Sequence, residues 1–172
     1  GGMGEASVQT YGTELIGRLA RLTGAEPRPL LVQGVTSSRE AKLVMLADPV
    51  VRETMDMYGR LSLAIIGIGG AELSELLVRA GNVLSPQEMD RLREAGAVGE
   101  ISFRFFDKEG QRVATSTDDR VIGITLEELR AAKRVVALAG GQSKTAAIAG
   151  ALTMGIIDVL VTDKFTAARL VA

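Results

Sequence analysis

The chain has 172 residues, with 20 basic against 21 acidic side chains and a formal net charge of −1, a length that fits one domain. It contains neither cysteine nor histidine, which excludes disulfides, thiolate and imidazole metal sites, cysteine nucleophiles and any Ser-His-Asp triad. Near-neutral charge, 3% aromatics and no tryptophan speak against a self-sufficient nucleic-acid grip or a base-stacking platform. The apolar share of 47% predicts strands buried on both faces, as in a parallel sheet. The longest nearly apolar stretch, Leu61 to Ala71, is too short to span a bilayer. Residues 1–10 lack the basic and apolar regions of a signal peptide, so a cytoplasmic protein is expected. The absence of Met at position 1 points to a cut chain or an interior fragment.

Helical spacing of Leu15, Leu19 and Leu22 predicts a helix from Val8 to Leu22, stopped by Gly24. Leu30 to Val32 reads as a short strand. A helix follows Ser37-Ser38-Arg39-Glu40, and Asp48-Pro49 opens another, with Asp as cap and Val50, Thr54 and Met57 turned inward. Leu61 to Ile68 is the clearest buried strand. Ser85-Pro86 starts a helix through Arg93, closed by Gly96. Ile101 to Phe106 and Arg112 to Ala114 form a hairpin around Asp107-Lys108-Glu109-Gly110. Val121 to Ile124 is a strand, Thr125 caps a helix, and Arg134 to Ala139 is a further buried strand. Ser143 to Met154 is the next helix; Ile157 to Thr162 is the last strand, and Asp163 caps a closing helix. The alternation predicts one α/β domain, with a Rossmann-like, mostly parallel sheet flanked by helices and one antiparallel hairpin.

Ligands of such sheets bind beyond the carboxyl ends of strands, at helix N-termini. Three glycine-bearing segments qualify: Gly1-Gly2-Met3-Gly4, Gly67-Ile68-Gly69-Gly70 and Gly140-Gly141-Gln142-Ser143-Lys144. The third joins two glycines, the free amides of a new helix and a compact cation, a combination that suits a phosphate; a plain glycine turn with a surface lysine is the alternative. Gly67-Ile68-Gly69 is not a dinucleotide fingerprint, because Glu72 stands where a third glycine would fall, and no Walker A motif exists. Glu100, opening a strand after Gly99, can receive sugar hydroxyls. Asp107 belongs to a turn. Asp118-Asp119-Arg120 reads as a solvated charge cluster in preference to a ligand loop. Gln9, near the first helix start, is ambiguous on its own. These features point to a small anionic polyol and leave enzyme and sensor both open.

The ordered series Ala47-Asp48-Pro49-Val50-Val51-Arg52-Glu53, Ala64-Ile65-Ile66-Gly67-Ile68-Gly69, Ala80-Gly81-Asn82-Val83-Leu84-Ser85, Gly96-Ala97-Val98-Gly99-Glu100-Ile101, Arg104-Phe105-Phe106-Asp107-Lys108-Glu109-Gly110, Asp118-Asp119-Arg120-Val121-Ile122-Gly123-Ile124, Ala139-Gly140-Gly141-Gln142-Ser143-Lys144 and Ile157-Asp158-Val159-Leu160-Val161-Thr162-Asp163 resembles the C-terminal effector-binding domain of SorC-type sugar-binding transcriptional regulators. The resemblance covers essentially the whole chain. It implies a fold like that of glucosamine-6-phosphate deaminase and ribose-5-phosphate isomerase, a phosphorylated-sugar effector, no catalysis and no cofactor or metal. It implies a homo-oligomer (dimer or tetramer), no membrane partner, and DNA contact only through an N-terminal helix-turn-helix absent from this chain, as is the family's first βα unit. On the family pattern the ligand residues are Gln9, Glu100, Gly140, Gly141 and Lys144, with Gln142 beside them; Gly69, at the glycine-bearing strand end, is added to the expected ligand-binding set. An isomerase- or deaminase-type enzyme on the same fold is the rival expectation.

Overall fold

The computed structural model describes the backbone of residues 6–70 and 84–172. The segment Gly1-Gly2-Met3-Gly4 and residues 80–83 of the family series lie outside the described residues. Helix α1 (Ala6–Thr23) ends at Gly24, whose φ of +69° suits a left-handed helix stop. Ser38 caps α2 (Arg39–Ala47) by accepting from the Ala41 amide at 3.1 Å. Asp48 caps α3 (Pro49–Asp56) by accepting from the Val50 and Val51 amides. In α3 the buried residue is Val51, while Val50 is 69% exposed and Met57 39% exposed, so the inward stripe runs one position away from the expected one.

Strands β1 (Ala64–Gly67), β6 (Val135–Leu138) and β7 (Val159–Val161) form a parallel sheet in the order β1-β6-β7. A second, antiparallel sheet runs β2 (Gly69–Gly70), β3 (Gly99–Ile101), β4 (Arg104–Phe106) and β5 (Arg112–Val113). The antiparallel part is therefore larger than the one expected hairpin. The run Ile101 to Phe106 is not a single strand: it turns at Ser102 and Phe103, both at positive φ (52° and 62°), and pairs with itself as Ile101 opposite Arg104. Neither Leu30 to Val32 nor Val121 to Ile124 forms a strand. Val121 keeps one antiparallel bridge, to Val35, which lies beyond Leu30 to Val32, and Leu31 is 76% exposed.

The helices follow their caps. Reciprocal Ser85–Glu88 and Thr125–Glu128 capping boxes open α4 (Pro86–Glu94) and α5 (Leu126–Ala131). A 3₁₀ turn over Gln142–Lys144 leads into α6 (Thr145–Thr153), and Asp163 caps α7 (Lys164–Leu170). Ala64, Val135 and Ala137 pack with Leu129, Ala147, Ile148, Ala151 and Phe106 in the main core. Phe105, pointing oppositely on β4, joins Met89, Leu92, Ala97 and Val113 in a smaller one. The other face of the parallel sheet departs from the expectation of double burial. Ile65, Leu138, Val159 and Val161 are 41–53% exposed, and the register aligns Gly67, Leu138 and Val161 across that face.

Asp118 is also more than a solvated charge. It accepts from the buried Arg104 and from Arg112 through one oxygen, each at 3.1 Å, and from the Thr115 amide through the other. Burial raises its pKa, but these donors outweigh burial and hold the carboxyl below its ordinary value.

Candidate functional site

Because β1, β6 and β7 run parallel, their carboxyl ends deliver three loops to one edge of the sheet. Gly67-Ile68-Gly69-Gly70 follows β1, Ala139 to Lys144 follows β6, and Thr162-Asp163 follows β7. Lys144 joins the first two: its ammonium donates to the Ile68 carbonyl at 3.0 Å. Gly69 lies directly opposite Glu100 in the β2–β3 ladder. A methyl group on Gly69 would run into the Glu100 carboxylate, with Cδ only 2.9 Å away, so this glycine makes room for an acid.

Glu100 is held by its own hairpin. Its Oε2 accepts from the Phe103 amide at 2.7 Å, inside the left-handed Ser102–Phe103 turn. Burial pushes the Glu100 carboxyl above the usual range, against the Phe103 amide and the positive charge of Lys144, which pull it down. A half-buried carboxylate beside a cation can accept hydroxyl donors from a polyol. It also has the character of a group that could exchange a proton.

The glycine loop has a defined shape. Gly141 has a φ of +101°, and its amide donates to both Asp163 Oδ2 (3.0 Å) and Thr166 Oγ1 (2.9 Å). That amide is committed within the protein. The two amides that follow, of Gln142 and Ser143, start the helix without a side-chain cap. In contrast, side chains cap α2, α3, α4, α5 and α7. The α6 entry therefore presents uncapped amides, a lysine in the first turn and glycines at the approach, an arrangement able to receive an anion.

Of the residues singled out from sequence, Gly69, Glu100, Gly140, Gly141, Gln142 and Lys144 share this edge. Gln9 falls within α1, and its side chain lies outside the described part. Asp163 is the helix cap expected from sequence, whereas Thr166 was not singled out; a D-x-x-T cap directly after an apolar strand was the available signal that both reach the glycine loop. Among the described residues no cluster of acids could hold a metal ion, and no helix is long and apolar enough to cross a membrane.

Comparison with known proteins fits this geometry. A family model described as "Putative sugar-binding domain" matches residues 1–172. The deoxyribonucleoside regulator of Bacillus subtilis is 33% identical over 171 residues, covering 99% of this chain and 54% of its own. The solved structure of a DeoR family transcriptional regulator from Listeria monocytogenes superposes with a TM-score of 0.83 at 25% identity, covering 98% of this chain and 66% of that one. For fold alone, the full-length sorbitol operon regulator SorC from Klebsiella pneumoniae superposes with a TM-score of 0.74 at 24% identity, covering 81% and 44%. The chain spans about half the length of the curated relatives it matches. With the family model matched from end to end, the chain belongs to the sugar-binding domain family of SorC/DeoR-type transcriptional regulators.

Proposed function

We propose that this domain senses a phosphorylated sugar and does not transform it. The observation that carries the reading is the α6 entry: uncapped amides and Lys144 at a glycine loop, at the carboxyl edge of a parallel sheet. The phosphate is assigned to the Gln142 and Ser143 amides and Lys144. Hydroxyls are assigned to Glu100, with Gly69, Gly140, Gly141 and Gln9 completing the site. Binding biases the assembly of a cytoplasmic dimer or tetramer and thereby a helix-turn-helix elsewhere in the same protein. Residues 1–172 act as one effector domain. The apolar sheet face around Ile65, Leu138 and Val161 takes a further segment of the longer protein, in keeping with the greater length of the relatives.

The Glu100–Lys144 neighbourhood is the one feature that favours an isomerase instead. Calorimetry against a panel of sugar phosphates and their dephosphorylated sugars tests the first reading. Saturable binding of a phosphorylated member only is expected, with the sugar recovered unchanged by chromatography. Tight binding of an unphosphorylated sugar would overturn the phosphate assignment, and conversion of the bound sugar would overturn the sensor reading.

A further inference from the structure

The β7–α7 junction is built around one triangle of hydrogen bonds. Asp163 uses Oδ1 to cap its own helix, accepting from the Phe165 amide at 3.0 Å and the Thr166 amide at 2.9 Å. Its Oδ2 faces the neighbouring loop and accepts from the Gly141 amide and from the Thr166 hydroxyl, the latter at 2.6 Å. The Thr166 hydroxyl accepts in turn from Gly141. Thr166 is fully buried, at 0% exposure. The Gly141 amide is shared between two acceptors, and the direction of the third bond is fixed, because the Thr166 hydroxyl has one proton and gives it to the carboxylate.

The same junction dictates the glycines. A Cβ on Gly140 would lie 2.6 Å from Asp163 Oδ2, and Gly141 sits in a region that side chains avoid. Gly140 is thus explained by its contact with the Asp163 cap and Gly141 by its backbone conformation, independently of any ligand. Asp163 also closes the α7 N-terminus to outside anions, so that among the described residues the α6 entry is the uncapped helix start at this edge.

We infer that Asp163 and Thr166 are positioning residues for the effector: by fixing the Gly141 amide inward, they set the turn from which the Gln142 and Ser143 amides meet the phosphate. This rests on the function proposed above and adds a positioning element to it. The loop that touches the ligand is shaped by a helix that does not. Asp163 remains ionised across the physiological range, since the Thr166 hydroxyl and amide together with the Gly141 and Phe165 amides hold its carboxyl at about 2, so the clamp stays closed.

The test uses inorganic phosphate as probe, titrated by calorimetry and followed at assigned amides by NMR. Thr166→Val keeps the buried shape and removes the hydroxyl, and should weaken phosphate binding about three- to tenfold, in line with one lost hydrogen bond. It should also speed hydrogen exchange at Gly141. Thr166→Ser should restore both readouts. Thr162→Val, in the same wall and with no hydrogen-bond partner for its hydroxyl, should change neither. A merely structural role would lower the melting temperature and speed Gly141 exchange while leaving phosphate affinity alone. If Thr166→Val binds phosphate within twofold of wild type, the clamp is refuted while the proposed function stands. If wild type shows no saturable response to phosphate or to any sugar phosphate, the proposed function falls and the positioning role falls with it. Should Thr166→Val fail to fold, Gly141 exchange in the unmodified protein decides: exposed yet protected supports the clamp, and exchange at the rate of a free amide refutes it.

Discussion

Replacing Lys144 by alanine removes two interactions at once. The ammonium donates to the Ile68 carbonyl at 3.0 Å, and Ile68 is 1% exposed, so truncation orphans an acceptor in a dry place. A hydrogen bond from a charged donor contributes about 1.5–3 kcal/mol. Lys144 is only half-buried, so water can partly replace it and a loss of about 1–2 kcal/mol is expected. For a domain of this size that is a fall in melting temperature of about 2–8 °C. The second loss is the proposed phosphate contact, worth a similar charge-assisted bond, or roughly 10- to 150-fold in affinity. Differential scanning fluorimetry without ligand and calorimetry with the hit from the sugar-phosphate panel separate the two effects. Lys144→Met, which retains the apolar stem, should recover part of the stability and none of the affinity. A Lys144→Ala protein with unchanged melting temperature and unchanged affinity would refute both the bridge to β1 and the phosphate assignment.

Glu100→Gln should leave the fold intact or firmer at neutral pH and abolish hydroxyl recognition, read as a melting temperature equal to or above wild type with binding lost. The sign follows from its raised pKa: the native protein keeps this proton to higher pH than the unfolded chain does, so wild-type stability falls as pH rises from the ordinary 4.5 toward the raised value. The variant should lack that slope in urea titrations. Asp163 works the other way, contributing stability above its ordinary 3.8 that is lost as pH falls toward about 2; Asp163→Asn should flatten that acid limb. Asp118→Ala should cost about 3–5 kcal/mol by urea denaturation, since it leaves Arg104, 8% exposed at its side chain, buried and unpaired. Arg112→Ala, at 47% exposed, should cost under about 1 kcal/mol.

The glycine loop and Lys144 were legible because the chemistry is local: strand, two glycines and a cation within seven positions of Leu138. Glu100 was legible through its place at a strand start and through the family pattern. The clamp was not, because Asp163 and Thr166 reach Gly141 from 22 and 25 residues away, and nothing in a helix cap announces a second acceptor role. The Ser102–Phe103 turn was hidden for a different reason. Serine and phenylalanine are poor candidates for consecutive left-handed residues, and an apolar run with two phenylalanines reads as continuous strand. Leu30 to Val32 had strand composition but found no ladder, and strand preference without a neighbour to pair with decides little.

The connection between β1 and β6 bears on how this protein folds and unfolds. The hairpins of the antiparallel sheet close within a few residues, whereas Ala64 must find Val135 and Lys144 must find Ile68, 76 residues away. Long closures of this kind form late because chain entropy opposes them until both partners are already ordered. The effector contacts proposed above straddle those closures, so on that reading the bound molecule meets a surface completed after the folding transition state. Saturating effector should therefore slow unfolding while leaving the refolding rate nearly unchanged. Occupancy would then extend the lifetime of the folded domain without altering how readily it is made.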